Sequence, residues 1–251
     1  MVGSRAHAKA SAGSVTQPIA ARIEAVRWDD CIAALDERGF ATTGPLLTAD
    51  ECAALVATYG DTPRFRSRVV MERHGFGRGE YKYFAYPLPE TVAGLRAALY
   101  PRLAPLANRW SAALQDATAF PPQLDQYLAR CHAAGQRRPT PLVLKYGAGD
   151  FNCLHQDLYG PLVFPLQATI LLSDPQADFT GGEFLLVEQR PRAQSRGEVV
   201  PLRRGEAVLF AVHHRPVRGT RGFFRVNLRH GVSRLHTGAR YTLGLIFHDA
   251  A

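Results

Sequence analysis

The stretch NCLHQDLYG, residues 152–160, places His155 and Asp157 two positions apart. On an extended strand side chains alternate, so the two face one way and Gln156 the other. An imidazole and a carboxylate on one side are two parts of a 2-His-1-carboxylate site. Such a site binds Fe(II) and leaves positions open for chemistry. Completing it takes a second histidine from a distant strand: His213, His214, His230, His236 or His248. In VNLRHGV, Val226, Leu228, His230 and Val232 share one apolar face that points inward, where a histidine needs a partner. His213 and His214 are adjacent, in a loop beyond a strand. His236 sits in the HTG turn, and His248 ends the last strand. Cys153 shares the face of His155 and is expected to be a small core residue rather than a soft ligand.

Ten residues after His230 comes Arg240, opening RYTLGLIF. Arg240, Thr242 and Gly244 share a strand face. An inward arginine is costly unless paired. A guanidinium and a hydroxyl two residues apart make a carboxylate clamp, because arginine takes a carboxylate in a bidentate fork. This suggests a small dicarboxylate beside the metal. The strand's other face, Tyr241, Leu243, Leu245 and Phe247, is apolar, which a layer of helices outside the sheet would explain.

The elements that must position these residues fall into two stretches. Trp28, Ile32 and Leu35 lie at helical spacing, stopped by Gly39. Thr48 to Glu51 reads as a capping box before a second helix closed by Gly60. Residues 90–134 read as helices, with Pro101 and Pro105 expected to break or kink the first. After Pro141 come short β-rich runs separated by turn signals, the pattern of a sandwich or barrel.

Between the early helices and the later ones, residues 61–86 interleave Arg64, Arg66, Arg68, Arg73, Arg78 and Lys82 with Phe65, Phe76, Tyr81, Tyr83 and Phe84. Basic groups bind phosphates and aromatic faces stack on bases. The stretch reads as a candidate lid, or as a hairpin with one solvated arginine face. The chain of 251 residues carries a net charge of +8 with 46% hydrophobic residues. That is a globular composition whose surface attracts nucleic acid, anionic substrates or anionic membranes, or simply stays soluble. Cys31, Cys52, Cys131 and Cys153 form no CxxC pair, so they are expected to be reduced, mostly buried thiols of a cytoplasmic protein. The first twenty residues read as a disordered tail without a signal peptide. No segment approaches the length of a membrane span, and no protein partner is expected.

His155-x-Asp157, the TGGEF glycines, the GEAVLF strand, His230-x-Val232 and Arg240-x-Thr242 occur in the order typical of 2-oxoglutarate/Fe(II)-dependent dioxygenases. The resemblance covers roughly residues 140–249. With LKYGAGDFNCLHQD and RHGVSRLHTGARYTLGLIFHD, the chain resembles a bacterial subfamily assigned, by analogy with AlkB-like demethylases, to the oxidation of damaged nucleic acid. The second arginine of a typical AlkB-like ending is absent from TLGLIF. The resemblance implies an α+β fold: a double-stranded β-helix, or jelly-roll barrel, with N-terminal supporting helices. The chain would be a tail over 1–20 and one dioxygenase domain over 21–251, helical over 21–139 and jelly-roll over 140–249. It implies Fe(II) on His155, Asp157 and His230, the catalytic set, and 2-oxoglutarate as cofactor with its far carboxylate on Arg240 and Thr242. Tyr146 and Asn152 are placed to add hydrogen bonds to it, and O2 is the co-substrate. Decarboxylation to succinate would accompany hydroxylation of a substrate C–H bond, or loss of an N-methyl group as formaldehyde. Alkylated bases in DNA or RNA are the first substrate reading, with Arg64, Arg66, Arg68, Arg78, Tyr81 and Tyr83 as the lid. A protein side-chain or small-metabolite hydroxylase is the second. A non-catalytic barrel binding nucleic acid or a ligand is the third.

Overall fold

The computed structural model describes residues 17–251; the expected tail lies largely outside the described residues. Chain order begins with helices α1 (Ile19–Glu24) and α2 (Trp28–Arg38), strand β1 (Phe40–Pro45) and helix α3 (Ala49–Ala57). Strands β2 (Phe65–Val70), β3 (Gly77–Arg78) and β4 (Glu80–Phe84) follow, then helices α4 (Glu90–Ala113) and α5 (Leu124–Ala133). The rest is strand: β5 (Leu142–Gly147), β6 (Phe151–His155), β7 (Leu166–Leu171), β8 (Phe179–Gly181), β9 (Phe184–Gln189) and β10 (Arg196–Val200), then β11 (Glu206–Ala211), β12 (His214–Gly219), β13 (Gly222–Val232) and β14 (Leu235–Ile246).

Local chemistry sets these boundaries. Gly39 closes α2 in the left-handed region at φ 82°, which a side chain would resist. Thr48 and Glu51 cap α3 reciprocally, and Arg22 of α1 grips the same carboxylate at 2.7 Å. Of the break or kink expected at Pro101 and Pro105, the break does not occur: α4 is one helix of 24 residues. Pro105 faces solvent, while Leu95, Leu99, Leu103 and Leu106 hold the other side in the core. Their burial offsets the missing amide donors.

The expected closed jelly-roll barrel is corrected. The strands form two open antiparallel sheets, one ordered β1-β11-β7-β14-β5-β4-β2 and the other β10-β9-β13-β6-β3. No ladder joins one to the other among the described residues. The edges carry the chemistry that stops pairing. Strand β1 ends in Gly44-Pro45, β2 bears Arg66 and Arg68, β3 is two residues long, and β10 bears Arg196 and Glu198. Strands β1, β2, β3 and β4 precede the stretch expected to form the jelly roll, where ATTGPLL reads as a short extended piece and residues 61–86 as a lid or hairpin, so the sheets recruit both halves of the chain.

The result is three layers. Leu95, Leu99, Leu103 and Trp110 of α4 pack with Leu243, Leu245 and Phe247 on one face of the larger sheet. The apolar side of RYTLGLIF is therefore covered by helices, as its pattern suggested. On the opposite face Tyr146, Leu171 and Phe210 meet Phe184, Leu186 and Val232 of the smaller sheet. Arg240 and Thr242 project into this second layer's territory, between the sheets.

Candidate metal and cofactor site

Strand β6 stops at His155, and Asp157 lies just beyond it. His155 is the register partner of His230 across the β6–β13 ladder, with the imidazole centroids 4.2 Å apart. His155, Asp157 and His230 offer ligand atoms that all lie within 4.8 Å of one another. Asp157 Oδ1 is 3.6 Å from His155 Nε2, and its Oδ2 is 3.3 Å from His230 Nε2. His213, His214, His236 and His248 are not part of the cluster. Cys153 is exposed rather than a core residue, which corrects the expectation for it.

Two of the three ligand candidates are oriented by neighbours, while His230 Nδ1 is buried without a hydrogen-bond partner among the described residues. His155 Nδ1 lies 2.8 Å from the Cys153 carbonyl, which can only accept, so Nδ1 carries the proton and Nε2 is free toward Asp157. Asp157 Oδ1 accepts from the Tyr159 hydroxyl at 2.7 Å and Oδ2 from Gln167 Nε2 at 2.9 Å. The Tyr159 hydroxyl in turn meets Tyr83 at 3.0 Å. Burial works against the Asp157 anion, yet hydrogen bonding and charge from His230, charge from His155 and the Tyr159 hydroxyl hold its carboxyl far below the usual range. Burial, with the nearby His155, pushes His230 toward the neutral form, against the pull of Asp157. An anionic carboxylate and neutral imidazoles are what a divalent ion requires. The donor set, two nitrogens and an oxygen converging on one point, fits Fe(II) with sites left open.

Arg240 is 2% exposed, and its Nε and Nη1 find no hydrogen-bond partner among the described residues. The rings of Tyr146 and Phe179 lie near its guanidinium, with centroids at 5.7 and 5.9 Å. Burial pushes its pKa down to about 10, with Tyr146 and Glu183 pulling the other way. A buried, unpaired guanidinium is costly, and a ligand carboxylate would satisfy it. Arg240 and Thr242 line the same cavity of about 300 Å³ as the three metal candidates. Tyr146 and Asn152 also line it, bonded to each other at 3.2 Å. The orphaned donors, the buried hydroxyl of Thr242 and the shared cavity fit a small dicarboxylate such as 2-oxoglutarate.

The lid candidates divide. Tyr81 lines the cavity, together with Phe76, Leu144 and Leu154. Tyr83 is buried against Tyr159, and Arg66 lies 4.4 Å over its ring while bonding the Pro139 carbonyl. Arg64 pairs with Asp61 at 2.6 Å, Arg68 with Glu80, and Arg78 approaches Glu72 at 3.9 Å. None of these arginines lines the cavity. Sequence reasoning passed over Gln167 and Tyr159. A lone glutamine inside FPLQATILLS was the available signal for the first, since an amide on an apolar strand needs a polar partner. A tyrosine two residues beyond an aspartate carries no such signal.

Residues 79–250 match the profile of an oxygenase family described as catalysing oxidative methylation of damaged DNA. Uncharacterized proteins from two strains of Mycobacterium tuberculosis are each 56% identical over 168 residues, which is 67% of this chain and 72% of theirs. Among solved structures, an oxidoreductase of the 2OG-Fe(II) oxygenase family from Burkholderia pseudomallei aligns over 89% of this chain and 93% of its own, at 16% identity and TM-score 0.50. A prolyl hydroxylase from Trichoplax adhaerens, in complex with a hypoxia inducible factor peptide, aligns over 87% of each chain at 13% identity and TM-score 0.50. Likeness at these identities speaks to fold.

Proposed function

This chain belongs to the oxygenase family whose profile spans residues 79–250, within the 2-oxoglutarate/Fe(II)-dependent superfamily, and from that premise we propose that it hydroxylates or oxidatively demethylates alkylated bases in DNA or RNA. The observation that carries the chemistry is the pairing of two incomplete features in one cavity. His155, Asp157 and His230 converge without a fourth protein donor, and Arg240 is buried without an anion. Fe(II), when bound, supplies the one-electron and O2 chemistry that no side chain can, with 2-oxoglutarate as reductant.

The protein's own part is geometry. His155 and His230, fixed opposite each other by the ladder, present two imidazole nitrogens. Tyr159 and Gln167 hold the Asp157 carboxylate in place. Arg240 and Thr242 take the far carboxylate of 2-oxoglutarate, and Tyr146 with Asn152 borders the same ligand. Phe184 and Phe210 stack near His230, with centroids at 6.0 and 4.7 Å, and keep water from that side. Phe76, 48% exposed, and Leu154, 39% exposed, stand at the opening where a substrate would enter. Tyr81 gives this entrance an aromatic wall against which a base extruded from its stack could lie.

A second reading is a protein side-chain or small-metabolite hydroxylase on the same scaffold. The internal pairing of Arg64, Arg66 and Arg68 favours it, because those groups are not free for phosphates. The test is succinate formation from 2-oxoglutarate with Fe(II) and oxygen, with and without an N-methylated single-stranded oligonucleotide, against the His155→Ala protein. Stimulation by the methylated strand above the unmethylated one supports base repair. Turnover without stimulation moves the substrate to proteins or metabolites, and equal turnover by His155→Ala removes His155 from the metal set.

A further inference from the structure

Between Glu206 and Asp249 the chain has no acidic residue, and it has seven arginines. Two, Arg215 and Arg240, are buried, and Arg234 bonds the Gly149 carbonyl. The other four, Arg218, Arg221, Arg225 and Arg229, are exposed and have no ion-pair or hydrogen-bond partner among the described residues. They contrast with Arg64, Arg66, Arg68 and Arg78, which are engaged by Asp61, a backbone carbonyl, Glu80 and Glu72, leaving Arg73 the one arginine of that stretch without a partner among the described residues.

The hairpin of β12 and β13 sets them in a row. Arg218 pairs with Phe223, and Pro216 with Arg225, so these side chains share a face. Alternation puts Arg225 and Arg229 on the side opposite Val226, Leu228 and His230, which are buried. From Phe223 to Arg229 the row is about 20 Å long at the usual strand rise. Arg229 adjoins His230, so the row runs up to the metal site along one strand. At the tip Phe223, 51% exposed, shares the arginine face and ends the cationic stripe in a large apolar ring, while Phe224 alternates to the side of Val226. Asp116 is the carboxyl whose range is lowered partly by Arg225 and His214, and its oxygen is engaged by Thr118.

We propose that the outer face of the β12–β13 hairpin binds single-stranded nucleic acid, its arginines on successive phosphates and Phe223 under a base. The proposal rests on the nucleic-acid reading of the function above and moves the backbone contact from the 64–78 loop to this hairpin. Charge alone would suit any polyanion. An exposed ring at the end of the stripe favours a strand whose bases can stack.

The experiment is anisotropy of a labelled, unmethylated single-stranded oligonucleotide on the full chain across a salt series. It compares wild type, an Arg218→Gln/Arg225→Gln/Arg229→Gln protein and a Phe223→Ser protein, each checked for an unchanged melting temperature. The arginine variant is expected to lose about 2 from the slope of log affinity against log salt, at about 0.7 per phosphate on a single strand. The phenylalanine variant is expected to keep the slope and lose roughly tenfold in affinity or more. Wild-type slope and affinity in the arginine variant would overturn the surface and leave the function standing, because wild type still binds. No binding by wild type would overturn both. Competition by poly-L-glutamate at equal charge concentration would assign the stripe to an acidic polypeptide instead.

Discussion

Arg240→Met separates binding from folding. At neutral pH the guanidinium is charged, buried and without an anion. A fall from 12.5 to about 10 corresponds to about 3 kcal/mol of unfavourable burial, at 1.36 kcal/mol per pH unit. The penalty is full at neutral pH and eases only above pH 10, where the folded form starts to release the proton before the unfolded one. Methionine keeps most of the apolar stem and removes the charge. A chain of this size gains about 2–4 °C per kcal/mol, and the shorter side chain forfeits part of the gain. The ligand-free variant should therefore melt about 3–8 °C above wild type. Its 2-oxoglutarate affinity should fall by about 2–5 kcal/mol, the usual loss when one side of a buried charge pair is removed. The assay is thermal unfolding with Mn(II) in place of iron, to prevent turnover, over a 2-oxoglutarate titration. Wild type should be stabilised by the ligand and the variant should not. A variant that melts lower than wild type, yet keeps the ligand-induced shift, would refute both the burial argument and the clamp.

Three other perturbations follow from the same reasoning. Tyr159→Phe removes the 2.7 Å bond to Asp157 Oδ1 and should weaken Mn(II) binding about 10–100-fold in a competition titration, with little change in melting; unchanged affinity would make Tyr159 a packing residue. Burial, then the Arg96 charge, pushes His248 down to about 4. It stays neutral when folded while its unfolded counterpart takes a proton between pH 6.5 and 4, so stability should fall as pH drops through that window. His248→Asn keeps an acceptor for the Phe164 amide and should flatten the decline in urea unfolding; an equal decline places the acid sensitivity elsewhere. Asp249→Asn breaks the buried pair with Arg96 at 2.8 Å and should cost about 3–5 kcal/mol in urea unfolding; a loss below 1 kcal/mol would show that Tyr86 and the Ile246 carbonyl hold Arg96 unaided.

The site was legible because its residues break local rules. A histidine in VNLRHGV and an arginine in RYTLGLIF sit on faces that should be apolar, and both are buried where their alternation put them. Asp157 was reached by a partly wrong route: the strand ends at His155, and the aspartate arrives from the following coil. What escaped was everything that depends on long-range pairing. FATTGP and FRSRVV carry no label saying that they become opposite edges of one sheet. The two short pieces complete sheets whose other strands lie far along the chain, and a local pattern cannot announce a partner. The arginines of residues 64–78 misled for a related reason. Their interleaving with aromatics suggested phosphates, but Asp61 takes Arg64 within one turn and Glu80 takes Arg68 once β2 and β4 pair.

The same edge strands bear on where the chain can be cut. The family match begins at residue 79, but β1 covers Phe40↔Phe210 to Pro45↔Glu206 on the flank of β11, and β2 covers the flank of β4. A fragment starting at residue 79 would keep every metal candidate and the clamp. It would also bare the ladder groups of β11, whose Ala207 to Ala211 are buried, and those of β4. Two uncovered apolar margins on one sheet invite strand addition between molecules. The first half of the chain thus acts as a pair of hems: it holds none of the reacting groups, and it keeps the sheet that carries them from growing.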